Sequence, residues 1–362
     1  MANPGSTIWE LKPHTKAKHF LLRRYLQAWF PILGSRYSHL LYVDGFAGPG
    51  RYKGDEPGSP IIALDAASVH VKRLQCTIDF VFIEEIGKRF ESLQLQLKRL
   101  TTPPNFKCYT EYGPFRDKIE PYLCTIETSP SPTPSFFFLD PDGFSGLPFS
   151  TIRRILELPH CETFITFLKD AMNRFLEHPE EEVRKHIVDH FGTETVLEVA
   201  NAPGDRVPAL RALYQGQLQG IAKYVRYFEM RDESHRPIYD LIFASNDRLG
   251  HLKMKEAMWK LAPQGDFSFS DATDPNQLVL FQSGLTAIPA SMLVSRFSAH
   301  GCVPVAQVRA FTEDETPFLP KHMRAALKQL EQSSRIIVDP SKIDGKMRRA
   351  GTFPDNATIR FA

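Results

Sequence analysis

Three short stretches of this 362-residue chain carry residue types that could do chemistry at their spacing. The first is Leu41-Tyr-Val-Asp-Gly-Phe-Ala-Gly-Pro-Gly50, an apolar run that ends in Asp44 and breaks into a glycine-rich turn. Glycine lets backbone N–H groups come close to a ligand, because a side chain would block the approach or forbid the dihedral. Two nucleotide motifs are excluded here. The G-x-G-x-x-G fingerprint fails because Gly48-x-Gly50 is followed by Lys53, and no G-x-x-x-x-G-K-[ST] occurs. The second stretch, Phe82-Ile-Glu84-Glu85, puts a carboxylate at the end of an apolar run. In nucleotide-binding α/β folds an acid at that point accepts the ribose hydroxyls, which makes Glu84 the candidate. The third, Phe138-Leu-Asp140-Pro-Asp-Gly-Phe144, ends another apolar run with a carboxylate, a turn and an aromatic ring. A weaker signal is Tyr109-Thr-Glu-Tyr-Gly-Pro114, where Glu111 and Tyr112 could border a base. Lys12 and Lys16 lie in a basic run before the first apolar stretch, where they could meet phosphates.

Each of these stretches needs a strand to present it. Leu22, Leu26, Trp29 and Leu33 fall at helical spacing and predict an amphipathic helix over 10–33. Strands are expected at 39–44, 79–84, 106–109, 136–140 and 162–168, with helical stretches between them. That alternation predicts a parallel sheet. Ser59 and Pro60 read as the cap and first turn of the helix after the glycine loop. Residues 170–222 read as a charged helical insertion, and 223–230 with 237–244 as a late hairpin that brings the sheet to seven strands. The expected organisation is therefore one α/β domain over 1–262, a polar linker over 263–284, and a second domain over 285–362. Three helical patterns and two short strands joined by a basic loop give that last segment a winged-helix order.

The glycine turn resembles the D/E-x-F-x-G-x-G motif of class I methyltransferases, which cradles the methionine end of S-adenosyl-L-methionine (SAM). Asp140 to Phe144 resembles the (D/N)-P-P-(Y/F) motif of enzymes that methylate exocyclic amines of bases, with Asp142 in place of the second proline and Gly143 added. An aromatic amine is a weak nucleophile because its lone pair is conjugated with the ring. A carboxylate and a backbone carbonyl can accept its two hydrogens, while an aromatic side chain stacks on the extruded base. Trp9-Glu-Leu-Lys-Pro-His-Thr-Lys-Ala-Lys18, Tyr42 to Gly50, Gly58-Ser-Pro60, Leu139 to Phe144, Tyr239-Asp-Leu-Ile-Phe-Ala-Ser245 and Met254-Lys-Glu-Ala-Met-Trp259 together resemble the three-Cys-motif partner protein (TcmP) family of bacteria. The C-terminal segment is similar to that family's GMT-like winged-helix module. The resemblance implies a Rossmann-like, seven-stranded class I methyltransferase fold with a helical insertion, followed by a winged helix. It implies SAM as cofactor, held by Asp44, Gly45, Phe46, Ala47, Gly48, Gly50, Ser59, Glu84, Glu111 and Tyr112. Asp140, Pro141, Asp142 and Phe144 would then position the acceptor.

The expected activity is SAM-dependent methylation of nucleic acid, DNA or RNA, at a base exocyclic amine. Lys12, Lys16, Arg324, Lys328, Lys346, Arg348 and Arg349 are the candidate contacts, since 285–362 carries 11 Lys/Arg against 7 Asp/Glu while the whole chain is only +2. Two alternatives stand beside it. Lys16, Asp140, Lys169 and Glu229 could form the tetrad of a ribose 2′-O-methyltransferase. Alternatively, the SAM-binding domain could be a non-catalytic scaffold for a radical-SAM-type three-Cys-motif protein. Composition narrows the field further. Hydrophobic residues at 42% and charged ones at 24% fit a globular protein, and no apolar run is long enough for a membrane span. Five scattered cysteines without a C-x-x-C pair argue for a reducing, cytoplasmic setting and against a structural metal site.

Overall fold

The structure is a computed structural model. It describes residues 7–72, 74–200, 204–263, 265, 267–272, 287–339 and 348–362. The chain divides into two compact units, one built from residues up to Ala257 together with Ser268–Thr273, the other from Met258–Phe267 and Asp274 onward.

The first unit opens with helix α1 (Pro13–Gly34), strand β1 (His39–Asp44), α2 (Ser59–Ser68), β2 (Thr77–Glu84), α3 (Gly87–Lys98) and β3 (Phe106–Tyr112). Next come α4 (Phe115–Lys118), α5 (Glu120–Thr128), β4 (Ser135–Leu139), α6 (Phe149–Glu157) and β5 (Cys161–Phe167). Four helices follow: α7 (Lys169–Phe175), α8 (Glu181–Phe191), α9 (Thr195–Val199) and α10 (Arg206–Gln219). The hairpin β6 (Tyr224–Arg231) and β7 (Pro237–Ser245), helix α11 (Arg248–Leu261) and β8 (Ser268–Ser270) complete the order.

The strands form one eight-stranded sheet in the order β3-β2-β1-β4-β5-β7-β6-β8. β1 pairs in parallel with both β2 and β4. The strand order therefore reverses at β1, and a crevice opens outside its carboxyl end, where open α/β sheets bind ligands. β7 runs antiparallel to β5 and β6. The eighth strand lies inside the stretch expected to be a linker. Its three residues pair in parallel with β6 and are secured by Ser270 Oγ, which donates to Asp232 O at 2.8 Å. So short an edge strand of serines and one phenylalanine carries no readable hydrophobic period.

Burial on both faces explains the unbroken apolar strands. Every residue of β4 and β5 is buried. Leu41, Val43, Val81, Ile83, Phe137 and Ile165 face a cluster completed by α4 to α6 and by Met172, Ile187, Phe191, Leu210, Tyr214 and Leu218 of the inserted helices. On the other face α1 supplies aromatic packing. Tyr25 meets Phe136 and Phe243 at 5.2 Å between ring centroids, and Phe30 meets Phe80 at 5.7 Å. α1 is also pinned by the buried Glu162 of β5. Its carboxylate accepts from Tyr25 Oη at 2.6 Å, Trp29 Nε1 at 2.8 Å and Ser245 Oγ at 2.7 Å. Burial pushes this carboxyl up to about 7 against those three donors.

The second unit holds α12 (Ala287–Phe297), β9 (Cys302–Pro304), α13 (Val305–Asp314), α14 (Pro320–Gln332), β10 (Ile336–Val338) and β11 (Thr358–Phe361). β11 lies between β10 and β9, antiparallel to both. Leu293, Phe297, Val303, Val308, Met323, Leu327, Leu330, Ile336, Ile359 and Phe361 fill its core. This is the expected winged helix with one unforeseen strand, β9, in which only Val303 is buried. Among the described residues no helix is long and apolar enough to cross a membrane, and no cluster of three metal-binding side chains occurs.

Candidate functional site

The crevice beyond β1 and β4 is a cavity of about 490 Å³, inside the range of small-molecule sites. Its floor is the turn after β1. Gly45 is held where a Cβ would lie 2.8 Å from the Phe115 ring and 2.9 Å from Leu139, so no side chain fits. Gly48 turns with φ +63° into open space, exposing backbone rather than side chain. Beneath the turn Asp44 is fully buried. Burial pushes its carboxyl up to about 7, aided by the charge of Asp140 and opposed by hydrogen bonds from Ser59 and the Phe46 N–H. Its Oδ2 has no hydrogen-bond partner among the described residues. A buried acceptor left unpaired is costly, and a cationic group in the cavity would satisfy it.

Glu84 stands at the end of β2 on the cavity wall. Its two oxygens accept the N–H groups of Gly48 and Ile86, each at 2.8 Å. The carboxylate thus ties the β1 turn to the start of α3, and each oxygen keeps a second acceptor position. Burial raises its pKa in spite of these bonds. Ser59 lines the cavity too. It is the first residue of α2 rather than its cap. The cap is Gly58, whose N–H donates to Gly50 O at 2.9 Å and where a Cβ would press on that oxygen at 2.8 Å.

Asp140 follows β4 and reaches the cavity with Pro141 and Asp142. Lys18 of α1, 5% exposed, donates to Asp140 Oδ2, and its ammonium lies 5.3 Å from the centroid of the Tyr239 ring. His19 beside it is held neutral, pushed down to about 3 by burial and by the Lys18 charge. Asp142 is not free either: the buried Arg89 of α3 donates to it and covers the Trp9 ring at 4.6 Å. Trp9, Arg89 and Asp142 come from three distant segments and meet at the cavity wall.

Several expected residues stand elsewhere. Phe144 turns away from the cavity and packs on the helical side of the core, with its ring 5.8 Å from Phe175. Glu111 and Tyr112 are strand residues, because β3 runs on to pair Tyr112 with Glu84. Tyr122 of α5 donates to Glu111 at 2.8 Å, and Tyr112 packs on Phe90. Gly113 to Asp117 line the cavity in their place. Lys16 is exposed and near Glu56, so it does not meet Asp140; Lys18 does. Lys169 is fully buried and donates to Glu229 at 2.7 Å and Asp240 at 2.6 Å, with Arg211 on the same two acids. Burial alone would raise the Glu229 pKa, yet Lys169 and Arg211 hold it down to about 2.

Sequence reasoning missed Trp9, Lys18, Arg89 and His186. Lys18 was findable, since it lies four residues before Leu22 on the apolar stripe of α1 and Lys16 does not. Arg89 and His186 gave no signal, because only the fold brings them to the cavity wall.

On α14, Lys321, Arg324 and Lys328 lie on the exposed face opposite Met323, Ala326, Leu327 and Leu330. Lys12 and Arg349 are also exposed. Arg348 is spent internally, donating to Glu331 and, at 2.6 Å, to Thr352 O. Lys346 lies outside the described residues.

Strand order and connections make the first unit a mixed α/β domain with a large, mostly parallel sheet, and the second unit carries a winged helix. Residues 260–343 match the family model of a GMT-like wHTH domain. Solved structures to which the chain is similar in part include a protein from Porphyromonas gingivalis W83 classed as a methyltransferase (12% identity, TM-score 0.30). The match covers 60% of this chain and only 40% of that one. An O-methyltransferase from Bacillus cereus in complex with SAH is 14% identical over 62% of this chain and 80% of that chain, with TM-score 0.32. Trm1 from Pyrococcus horikoshii with S-adenosyl-L-methionine is 9% identical over 71% and 74%, with TM-score 0.32. No curated protein matches the sequence.

Proposed function

We propose that the chain is a SAM-dependent methyltransferase acting on nucleic acid, with a base exocyclic amine as acceptor. The observation that carries this reading is the pair of carboxylates at the switch point. Asp44 is buried with an oxygen unpaired under a side-chain-free glycine turn, and Asp140 stands at the end of the neighbouring strand. Asp44 with the turn from Gly45 to Gly50 would hold the amino-acid end of SAM, and Glu84 the ribose. SAM supplies a methyl group on sulfonium sulfur, already a good leaving group.

The protein's part is then orientation, which can contribute about 7–11 kcal/mol for well-aligned reactants. Lys18 fixes one oxygen of Asp140, leaving the other to accept an amine hydrogen. Trp9 and Tyr52 line the cavity and supply the aromatic surface that Phe144 does not. Arg324 and Lys328 supply phosphate contacts from the winged helix.

A second reading, methylation of a ribose hydroxyl, is favoured by one observation, the buried Lys18–Asp140 pair. One experiment separates the two. The protein is titrated with SAM by calorimetry and then given tritiated SAM with DNA, tRNA or rRNA. The product is digested to nucleosides and identified by mass. An N-methylated base is expected. A 2′-O-methyl nucleoside sinks the amine reading, and SAM binding without transfer to any of the three polymers leaves the scaffold role.

A further inference from the structure

Strand β3 ends the sheet with no neighbour on its outer side among the described residues. Lys107, Cys108 and Tyr109 are exposed, and Tyr112 is 55% exposed. A seven-residue open edge of this kind is a template for another strand.

Which strand it accepts is written in its own sequence, Phe106-Lys-Cys-Tyr-Thr-Glu-Tyr112. Read outward from Tyr109, the two arms correspond. Cys108 answers Thr110, Lys107 answers Glu111, and Phe106 answers Tyr112. The backbone phase agrees. Asn105 O accepts from Ile78 N and Gly113 N donates to Glu84 O, so the odd-numbered peptide groups face β2. By alternation the N–H and C=O groups of Cys108, Thr110 and Tyr112 point outward, with the C=O of Phe106, whose N–H donates to Pro103 O at 3.0 Å.

We infer that two copies of this chain pair through β3, antiparallel, about a two-fold axis at Tyr109. In that register Cys108 exchanges both hydrogen bonds with Thr110 of the second copy, using only outward-facing groups. Tyr109 stands opposite Tyr109 in the closer, non-hydrogen-bonded type of pair. Lys107 stands opposite Glu111 twice, and the aromatic ends meet twice. Parallel pairing in register would instead set Lys107 against Lys107 and Glu111 against Glu111, which is repulsive. The antiparallel arrangement is isologous and closed, so it stops at a dimer. Because each β3 leads into Gly113–Asp117, which line the crevice at the carboxyl ends of the strands, the antiparallel pairing puts the two crevices at opposite strand ends of the joined sheet.

The test is the mass of the full chain by sedimentation equilibrium over a wide concentration range. A species of about twice 41.2 kDa is expected. K107E sets Glu against Glu at two places and should raise the dimer dissociation constant about tenfold or more. The exchange K107E/E111K should recover the dimer. T110P removes one outward N–H that β2 does not use and should give monomers. A monomer at every concentration overturns the proposal. So does a dimer that withstands both K107E and T110P, or one that the double exchange fails to recover.

Discussion

At the scale of single residues, the proposed function makes Asp44 the group on which SAM binding would turn. Asp44→Asn should weaken SAM about 10- to 100-fold, the worth of a buried charged hydrogen bond, in calorimetric titration. Its folded pKa, raised to about 7, sets the pH dependence. The free protein binds more protons than the unfolded chain between pH 4 and 7, so this group's contribution to stability falls as pH rises through that window. A cationic ligand needs the ionised form. SAM affinity should therefore drop as pH falls below 7, with proton release on binding, and Asp44→Asn should flatten the profile. Asp140→Ala should leave SAM binding within a few-fold and lower methyl transfer by about 10²-fold or more, the cost of removing one group aimed at the reacting centre. Phe144→Ala should leave turnover largely intact, because that ring packs on Phe175 rather than facing the cavity. The strand-end positions of Asp44, Glu84 and Asp140 were legible because each ends an apolar run. The direction in which Phe144 points was not, since a ring one residue past a turn can face either side.

At the scale of elements, α1 is held by what the sheet offers it. Phe136 lies under Tyr25 and Trp29 of α1 and beside Tyr42 of β1. Phe136→Ala should cost about 3–5 kcal/mol in denaturant titration through cavity formation. In the wing, the Arg348 side chain is only 8% exposed and bridges Glu331 to Thr352, while Glu331 also accepts from Gly351 N at 2.7 Å. Arg348→Ala should therefore destabilise the second unit by about 1.5–3 kcal/mol in its own melting transition. Arg348 was expected among the phosphate contacts because sequence counts charge without showing where a guanidinium is already engaged. β3 shows the converse error. Its expected end at 109 reflected weak apolar content, yet an edge strand needs ladder partners more than apolar residues, and β2 supplies them as far as Tyr112.

At the scale of the molecule, the proposed function places methyl transfer in the first unit and nucleic-acid affinity in the second, so the two should separate by mutation. Arg324→Ala with Lys328→Ala should weaken nucleic-acid binding and reduce the slope of log K against log salt by about 0.9 per lost phosphate contact. SAM affinity should stay unchanged. An unaltered slope in a salt titration would remove α14 from the interface. The three-strand pairing of the second unit and the eighth strand of the first show the same limit of sequence reading. β8 and β9 are three residues each, too short for any period to declare them, and exist because β6 and β11 present open edges.

The sequence by itself determined the α/β class, the strand ends that carry Asp44, Glu84 and Asp140, the helical insertion and the winged-helix order. These follow from periodicity and from turns, which are local. Only the tertiary structure decided that Lys18 rather than Lys16 meets Asp140, that Arg89 takes Asp142, that Lys169 is locked between Glu229 and Asp240, and that Trp9 closes the cavity wall. The ion pairs among them join residues 53 to 122 positions apart. Partners so distant are chosen by the crossing of chains over a sheet, which no local pattern records.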